Sequence, residues 1–344
     1  MPRHKPITIV GGGLAGLTLG IGLRREDVPV TIWEAGAYPR HRVCGEFISG
    51  RGLEVLARLE LLEPVIQAGA RYATNAAFFL EHAEGARRQL PSRALCVPRY
   101  KLDACLAERF RCLGGELREH ARWRDGFEEG VVRATGRRPQ TKATGWRWLG
   151  VKVHASNVSL TADLAMHCTN RGYVGLCLLP QDKVNICGLF RFPPHQPIPS
   201  LIDLLRGEPG SRLSDRLATA DCDQASLCTI SGLSLVPNRA GARAECCLGD
   251  ALTMTPPITG NGMSMAFEAA EKAIAPLAAH ARGEVAWAQA QQAVAQACDA
   301  AFGRRLAWAR WLQWIMLSPM VRTWPISLAL GSEPLWRTLY ARTR

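Results

Sequence analysis

Runs of β-branched and apolar residues alternate with helical apolar spacing along the first part of the chain. The run Ile7–Val10 is followed by glycines and by helical spacing from Leu14 to Leu23, and a second apolar run covers 28–33. A strand, a helix and a second strand in this order form a β-α-β unit with parallel strands. The pattern therefore predicts that residues 6–34 open an α/β domain.

Helices and short strands continue beyond this unit. Helical spacing extends from 52 to 62 and, more clearly, from Arg99 to the glycine pair at 114–115. Short apolar runs around 116–123 and 131–135 are typical of strands. Because helices and single strands still alternate, we expect these segments to belong to the same α/β domain.

Strand patterns dominate the middle of the chain. Apolar alternation predicts one or two strands over 73–89, and helices with one more strand are expected within 196–236. Four further strands are predicted at 149–155, 161–168, 173–179 and 184–192. The turn residues between them predict an antiparallel meander that forms the wall of a substrate pocket. His154 and His167 are expected to be polar residues of that wall rather than catalytic bases.

Composition limits the class of protein. The chain has 344 residues, of which 47% are apolar, and can bury a large core. It contains no uninterrupted apolar stretch of ~18 residues, the length that a membrane-spanning helix needs. The basic N-terminus lacks the apolar region of a signal peptide, so a cytoplasmic location is expected. Twelve cysteines without a Cys-x-x-Cys spacing indicate small buried side chains, and neither a disulfide framework nor a metal site.

A glycine-rich loop directly follows the first predicted strand. Its residues are Gly11, Gly12, Gly13, Leu14, Ala15 and Gly16. Gly11 permits a tight turn, Gly13 lets the backbone approach a pyrophosphate, and Gly16 lets the helix pack closely on the strand. Glu34 ends the next strand 18 residues beyond Gly16, where a carboxylate can bind ribose hydroxyls. The loop, the helix N-terminus and the acid together predict a dinucleotide site.

A second glycine-rich signal lies far along the chain. It consists of Gly249-Asp250-Ala251, Pro256-Pro257 and Gly260-Asn261-Gly262. It follows a short strand predicted at 245–248, and helices are expected over 262–279 and over most of the chain beyond 284. A nicotinamide cofactor alone does not require two signals so far apart, whereas an extended FAD does. The pair therefore predicts that the chain binds FAD.

With these residues the chain resembles the FAD-dependent family that includes hydroxylases of the p-hydroxybenzoate hydroxylase type and geranylgeranyl reductases. The matching positions are Gly11, Gly13, Gly16, Glu34, Arg99, Leu102, Asp103, Gly249, Asp250, Ala251, Pro256, Pro257, Gly260 and Gly262. The segment 43–47 is similar to the Cys-Gly-Glu segment of the reductase-like branch. The resemblance covers nearly the whole chain.

The resemblance implies an α/β fold in which an antiparallel substrate domain interrupts a Rossmann-like FAD-binding domain. The expected parts are 1–72, 91–145 and 237–300 for FAD binding, 73–90 and 146–236 for the substrate, and 301–344 for a C-terminal helical segment. In the second motif, Asp250 beside Gly249 would accept a hydrogen bond from a ribityl hydroxyl. The amides of Gly262 and Met263 would face the pyrimidine edge of the flavin, where reduction places negative charge.

Four residues outside the glycine motifs are also candidates for the site. Arg42 and Arg99 would pair with the pyrophosphate or approach the isoalloxazine, unless they are solvated surface residues. The resemblance to reductases places Cys44 and Glu46 beside the flavin, where Glu46 could position substrate or transfer a proton. The alternative for this segment is a tight turn with a buried cysteine and a solvent-facing glutamate.

The resemblance implies an FAD-dependent oxidoreductase with NADPH or NADH as a transient reductant, because the length leaves no room for a second nucleotide domain. We favour a monooxygenase that hydroxylates a small or carrier-bound organic substrate through a flavin hydroperoxide. A double-bond reductase of the geranylgeranyl reductase type and an electron-transfer flavoprotein are the alternatives. The stretch 132–138 lacks the Asp-Gly with which the hydroxylases contact FAD and NAD(P)H, and no lysine occupies a convincing halogenase position.

Positive charge and tryptophan concentrate in residues 301–344. Seven arginines against one acid contribute +6 of the net charge of +12, and five of the ten tryptophans lie here. Trp308, Trp311 and Trp314 recur on one side of a predicted helix. The favoured interpretation is a helical cap packed on the core, and the alternative is a peripheral membrane contact through 304–324. No nucleic-acid-binding module is recognisable, so no nucleic-acid partner is expected.

Overall fold

Two sheets organise the chain, one parallel and one largely antiparallel. The structure is a computed structural model, and it describes residues 4–80, 87–137, 145–233, 235, 238–318 and 332–344. The strands are β1 (Ile7–Val10), β2 (Val30–Trp33), β3 (Phe47–Ile48), β4 (Arg71–Leu80), β5 (Arg87–Cys96), β6 (Glu116–Arg118), β7 (Val131–Arg133), β8 (Arg147–Ser156), β9 (Leu164–Thr169), β10 (Gly172–Leu178), β11 (Val184–Phe192), β12 (Asp221–Ser231) and β13 (Cys246–Cys247). The helices are α1 (Leu14–Arg25), α2 (Arg51–Arg58), α3 (Leu62–Gln67), α4 (Arg99–Cys112), α5 (Leu201–Arg206), α6 (Arg212–Arg216), α7 (Gly262–Ala281), α8 (Trp287–Leu317) and α9 (Glu333–Thr343).

The parallel sheet has the strand order β13-β7-β1-β2-β6. β1 and β2 pair in parallel from Ile7↔Val30 to Val10↔Trp33, so the predicted β-α-β unit is confirmed. All residues of α1 from Leu14 to Leu23 are buried, because this helix also contacts α4 and α7. The N-terminal turn of α1 is thereby fixed at the carboxyl end of β1, the edge at which ligands bind in α/β sheets.

The second sheet has the strand order β12-β8-β11-β10-β9-β4-β5-β3. β9, β10 and β11 form the predicted antiparallel meander. β8, however, pairs with β11 and not with its neighbour in sequence, so the four strands do not run in simple succession. β4 joins β9 in parallel, which is possible only because a long connection separates them.

Some predicted boundaries of strands, helices and sheets were wrong. β5 continues to Cys96 and β3 pairs with it, so 91–96 and 47–48 belong to the second sheet and not to the parallel one. The helix predicted over 52–62 ends earlier, at Arg58, and a separate helix, α3, begins at Leu62. Of the strand predicted over 116–123, only 116–118 pairs with the sheet.

The second sheet presents two different faces. Successive side chains of a strand point to opposite sides, and β8 shows this clearly. Val151 and Val153 belong to an apolar core that includes residues of α5 and α6. Lys152 and His154 lie on the other face, where they contact Glu46. This second face is therefore the one that meets the nucleotide-binding part of the chain.

The C-terminal helices pack on both parts of the fold. In α8, Arg305 donates to Glu268 of α7 in a buried pair with N–O distances of 2.7 and 2.5 Å. In α9, Trp336 packs edge-on against Phe78 with ring centroids 5.1 Å apart. Among the described residues, no helix is long and apolar enough to cross a membrane.

The cap interpretation of the C-terminal segment holds only in part. One face of α8 packs on the core, as that interpretation predicts, and Ala309, Ile315 and Met316 are buried there. Trp311 and Trp314, which a cap would bury, are exposed by 47% and 59%. Residues 319–331, which include Arg322 and Trp324, lie outside the described part of the chain.

Candidate active site

The helices α1 and α7 both begin without a side-chain cap. α1 begins after Gly13 and α7 begins after Asn261. Neither of these residues accepts a hydrogen bond from the helix amides through its side chain. Neither helix has an acidic residue in its first turn. The amides of Leu14 and Ala15, and those of Gly262 and Met263, therefore lie at positive helix ends without an acceptor from a cap. Such ends bind phosphate and other anionic groups.

The glycines of these turns have different structural roles. A Cβ on Gly13 or on Gly262 would meet nothing within 4 Å. A Cβ on Gly11 would instead lie 2.3 Å from the Ala134 oxygen, and one on Gly16 would lie 2.0 Å from the Gly11 oxygen. Gly11 and Gly16 are thus required by backbone packing, whereas Gly13 and Gly262 border open space that a ligand can fill.

The two glycine motifs lie against one another, although they are far apart in sequence. A Cβ on Gly249 would be 3.1 Å from the Ala15 Cβ of α1. The link is built by strand pairing, since β13 lies beside β7 and β7 beside β1. The structure therefore brings the predicted phosphate loop and the predicted ribityl acid to one edge of the parallel sheet.

Asp250 lines the cleft at this edge. Its side chain is exposed, yet desolvation by the surrounding protein raises the pKa of its carboxyl, while the charges of Arg99 and Arg137 act in the opposite direction. Accessibility together with desolvation is typical of a carboxylate in a concave site. The role of Asp250 toward a ribityl chain stays a prediction.

Glu34 is held against the glycine loop. Its Oε2 accepts a hydrogen bond from the Gly12 amide at 2.9 Å, and its Oε1 accepts from Gly36 at 2.8 Å and from Arg40 at 2.7 Å. Tyr38 donates its hydroxyl to the Gly12 carbonyl and covers the same loop. The carboxylate fixes the loop that precedes α1, and its role as a ribose ligand stays a prediction.

Arg42 and Arg99 share one buried acid. Asp103 is fully buried, and it accepts hydrogen bonds from Arg42 Nε at 3.1 Å and from Arg99 through both carboxylate oxygens. Desolvation lowers the pKa of the Arg99 guanidinium, but Asp103 and Cys44 more than offset this effect, so its pKa lies above the ordinary value. Arg99 is therefore a fixed positive charge beside Cys44 and not a solvated surface residue.

Glu46 lies at the junction of the nucleotide-binding loop and the second sheet. It is fully buried, and its backbone has a φ of 60°, a strained value for a residue other than glycine. Oε2 lies 2.6 Å from His154 Nε2, and Oε1 lies 3.0 Å from the Arg99 amide and 3.4 Å from Lys152 Nζ. The alternative in which Glu46 faces solvent is wrong, because every one of these partners lies inside the protein.

Lys152 extends this cluster to His41. Its Nζ is 3.0 Å from His41 Nδ1. Desolvation lowers the pKa of His41, and the nearby Lys152 and His154 lower it further, so the neutral ring can accept from the ammonium. We name Glu46, Lys152, His154 and His41 the buried polar cluster. It links the half-buried His41 to a carboxylate inside the protein.

Cys44 borders the same cluster. Its carbonyl accepts a hydrogen bond from Asn185 Nδ2 at 2.9 Å, and its Sγ lies 3.4 Å from the Glu46 amide. Desolvation raises the pKa of the thiol, with Arg99 acting in the opposite direction. A protonated thiol is a weak nucleophile, so the surroundings favour a packing or hydrogen-bonding role for Cys44.

The sequence reasoning did not single out Lys152 and His41 as site residues. A signal for Lys152 was present, because Lys152 and His154 alternate with valines in an otherwise apolar strand. A lysine in a buried strand needs a partner, but nothing local identifies Glu46 as that partner. His167, the second histidine of the predicted wall, lies on the opposite face and stacks on Phe79, and burial lowers its pKa to about 3.

Comparison with known proteins supports the assignment of the nucleotide site. Residues 4–130 match the family of the FAD binding domain. Rifampicin monooxygenase from Streptomyces venezuelae is 32% identical over 115 residues, which are 33% of this chain and 24% of that protein. The chain thus matches only about a quarter of the length of this curated relative.

Solved structures resemble nearly the whole chain. The flavin-dependent brominase Bmp2 superposes with a TM-score of 0.78 at 15% identity, covering 99% of this chain and 93% of that one. PqsL, a probable FAD-dependent monooxygenase from Pseudomonas aeruginosa, gives 0.68 at 16% identity, with 98% and 100% covered. The halogenase PltM gives 0.72 at 16% identity, with 98% and 83% covered. The chain therefore shares the fold of these three solved structures.

The residues of this site fit FAD. Open space borders Gly13 and Gly262 at two uncapped helix ends, and Asp250 faces the cleft near them. This donor set suits a ligand that carries both a pyrophosphate and a polar chain of hydroxyls. Among the described residues there is no group of three or more side chains that could hold a metal ion.

An apolar patch adjoins the second motif on the inner face of the second sheet. Tyr173 and Leu189 of this face pack with Ile258 of the second motif and with Ile315 of α8. Tyr173 is 5% exposed, and its hydroxyl has no hydrogen-bond partner in the described part of the chain. The patch therefore combines packed apolar side chains with a buried hydroxyl that has no partner in the described part of the chain.

Proposed function

We propose that the protein is an FAD-dependent, NAD(P)H-using monooxygenase that hydroxylates a small or carrier-bound organic substrate. The observation that carries this proposal is the apolar patch around Tyr173 and Ile258, which adjoins the second glycine motif. Bound FAD would supply electron transfer and oxygen activation there, and apolar walls exclude the water that competes with such chemistry. The names of rifampicin monooxygenase and PqsL support this choice of reaction.

Different residues of the chain bind the cofactor, hold a proton and orient the substrate. The helix N-termini at Gly13 and Gly262 hold the anionic parts of the cofactor, and Asp250 binds its ribityl chain. The buried polar cluster holds a proton on the carboxylate–imidazole pair of Glu46 and His154, whose atoms are 2.6 Å apart. Apolar residues next to Tyr173 orient the substrate by shape.

A second candidate is a double-bond reductase, and one observation favours it. Reduction of an alkene requires a proton as well as a hydride, and Glu46 with His154 is a buried proton-holding pair in the loop that resembles the reductase segment.

Turnover in air and under nitrogen separates these functions. FAD-loaded protein is supplied with NADPH or NADH and a panel of apolar aromatic and polyene substrates, and products are analysed by mass spectrometry with ¹⁸O₂. Incorporation of ¹⁸O into product, absent under nitrogen, is the expected result. A product that gains two hydrogens under nitrogen identifies a reductase instead. Substrate-independent reduction of an added electron-carrier protein would contradict both.

Tyr173→Phe tests the apolar patch as the substrate pocket. Removal of an unpartnered buried hydroxyl leaves the unfolding free energy unchanged or higher, since no protein hydrogen bond is lost. If the hydroxyl binds substrate, KM increases about tenfold, the equivalent of one hydrogen bond. Calorimetry and steady-state kinetics measure the two effects.

Tyr340→Phe is the matched control for this variant. Tyr340 is also buried, but its hydroxyl lies 3.1 Å from Ser92 Oγ. Its removal should lower stability by about 1 kcal/mol and leave KM unchanged. An unchanged KM in Tyr173→Phe would place the substrate elsewhere.

A further inference from the structure

One face of α8 is exposed and carries aromatic and basic residues together. Exposed positions recur at three- and four-residue spacing, at Arg304, Ala307, Trp311 and Trp314. Trp311 and Trp314 are exposed by 47% and 59%, and Trp311 packs edge-on against Trp308 with ring centroids 5.5 Å apart. Large exposed aromatic side chains on one helix face mark an interaction surface.

The opposite face of α8 packs on the core and thereby determines which side of the helix faces outward. Arg305 is 7% exposed and holds Glu268 through two charge-assisted hydrogen bonds. Rotation of the helix to bury the tryptophans would break this pair and expose Ile315 and Met316. The tryptophans therefore face outward as a consequence of the packing of the whole helix.

The charges beside the tryptophans are positive. Arg304 and Arg310 are exposed on α8, and Arg342 of α9 lies 6.0 Å from the Trp308 ring. In the described part of the chain, none of these three arginines lies within ion-pair distance of a carboxylate. The net charge of the whole chain is +12. We name Arg304, Trp308, Arg310, Trp311, Trp314 and Arg342 the Trp/Arg face.

We propose that the Trp/Arg face binds the surface of an anionic lipid bilayer. Indole side chains are favoured at the level of the lipid headgroups, where the ring is apolar and its N–H stays hydrated. Arginines on the same face attract anionic headgroups. The face is a convex helix side without an acidic residue among its six members, so its charge complements a lipid surface. Such docking would hold the protein at the membrane surface through this face of α8.

Vesicle sedimentation tests this inference with the full-length, FAD-loaded protein. The probes are phosphatidylcholine vesicles with and without about a third phosphatidylglycerol. Wild type is expected to sediment only with the anionic vesicles and to be released when salt shortens the Debye length from ~10 Å to ~3 Å. Arg304→Gln with Arg310→Gln should weaken binding by about fivefold for each arginine, and Trp311→Ala with Trp314→Ala by on the order of tenfold.

Trp146→Ala supplies the matched control, because Trp146 is 50% exposed and lies outside the Trp/Arg face. It should bind vesicles as wild type does, and all variants should keep the wild-type flavin spectrum and melting temperature. Equal vesicle binding by wild type and the double tryptophan variant would overturn the inference, and so would the absence of binding by wild type at low salt. Concentration-dependent self-association that the double tryptophan variant loses would assign the face to a second copy of the chain and overturn it too.

Discussion

Gly13→Val is expected to fold and to lose FAD. Gly13 has φ of −84° and ψ of −173°, which valine also adopts, and a Cβ at this position meets no protein atom within 4 Å. The added side chain would occupy the space in front of the first amides of α1. Loss of charge-assisted hydrogen bonds to phosphate weakens binding by about 3 kcal/mol or more, roughly 100-fold in Kd.

Fluorescence titration of the apoprotein with FAD measures this effect, and circular dichroism with thermal melting checks the fold. Gly16→Val separates binding from packing, because its Cβ would lie 2.0 Å from the Gly11 oxygen and should prevent folding rather than block the ligand. Asp250→Asn should fold and weaken FAD by about 1–3 kcal/mol, the range for one hydrogen bond to a charged group. Wild-type FAD affinity in Gly13→Val would mean that this loop is not the phosphate cradle.

The features that sequence predicted best are local in the chain. The β-α-β unit at 7–33 and its glycine loop need only neighbouring residues to be recognised, because hydrophobic period and turn chemistry decide them. A local pattern also indicates the inner face of β8, because its polar residues alternate with valines. Local patterns also placed α4 and α7 close to their observed bounds.

Partners that are distant in sequence could not be predicted. The pairing of β8 with β11, and the inclusion of β3 and β5 in the second sheet, are set by hydrogen bonds between distant segments. The same holds for the contact between Glu46 and Lys152, which are 106 positions apart in the chain. For α8, spacing grouped three tryptophans, but the buried pair of Arg305 with Glu268 determines which side of the helix faces out.

Glu46→Gln is expected to destabilise the protein by about 3–5 kcal/mol, the cost of leaving one member of a buried ion pair unpaired. Glu46 and Lys152 both have fully buried side chains with Oε1 and Nζ 3.4 Å apart. Glutamine keeps the size of the side chain and removes its charge. The loss of unfolding free energy therefore measures the cost of leaving the Lys152 ammonium without a counter-charge. Chemical denaturation gives the change in unfolding free energy.

Glu271→Gln is the matched control, since Glu271 makes two hydrogen bonds to the half-exposed Arg58 at 2.6 and 2.9 Å. An exposed pair contributes about 0–1 kcal/mol, so the same substitution there should have little effect on stability. Equal losses in the two variants would show that burial of the Glu46–Lys152 pair does not determine its energetics.

Glu46→Gln combined with Lys152→Met should recover at least half of the lost stability, because the second substitution removes the stranded charge. The double variant can then report on chemistry without unfolding. If Glu46 and His154 hold a proton for the reaction, turnover should remain about 10²–10⁴-fold below wild type while FAD binding is retained. Wild-type turnover in the stable double variant would restrict Glu46 to joining the flavin loop to the sheet, and the proton would then have to reach the substrate from solvent or from another residue of the pocket.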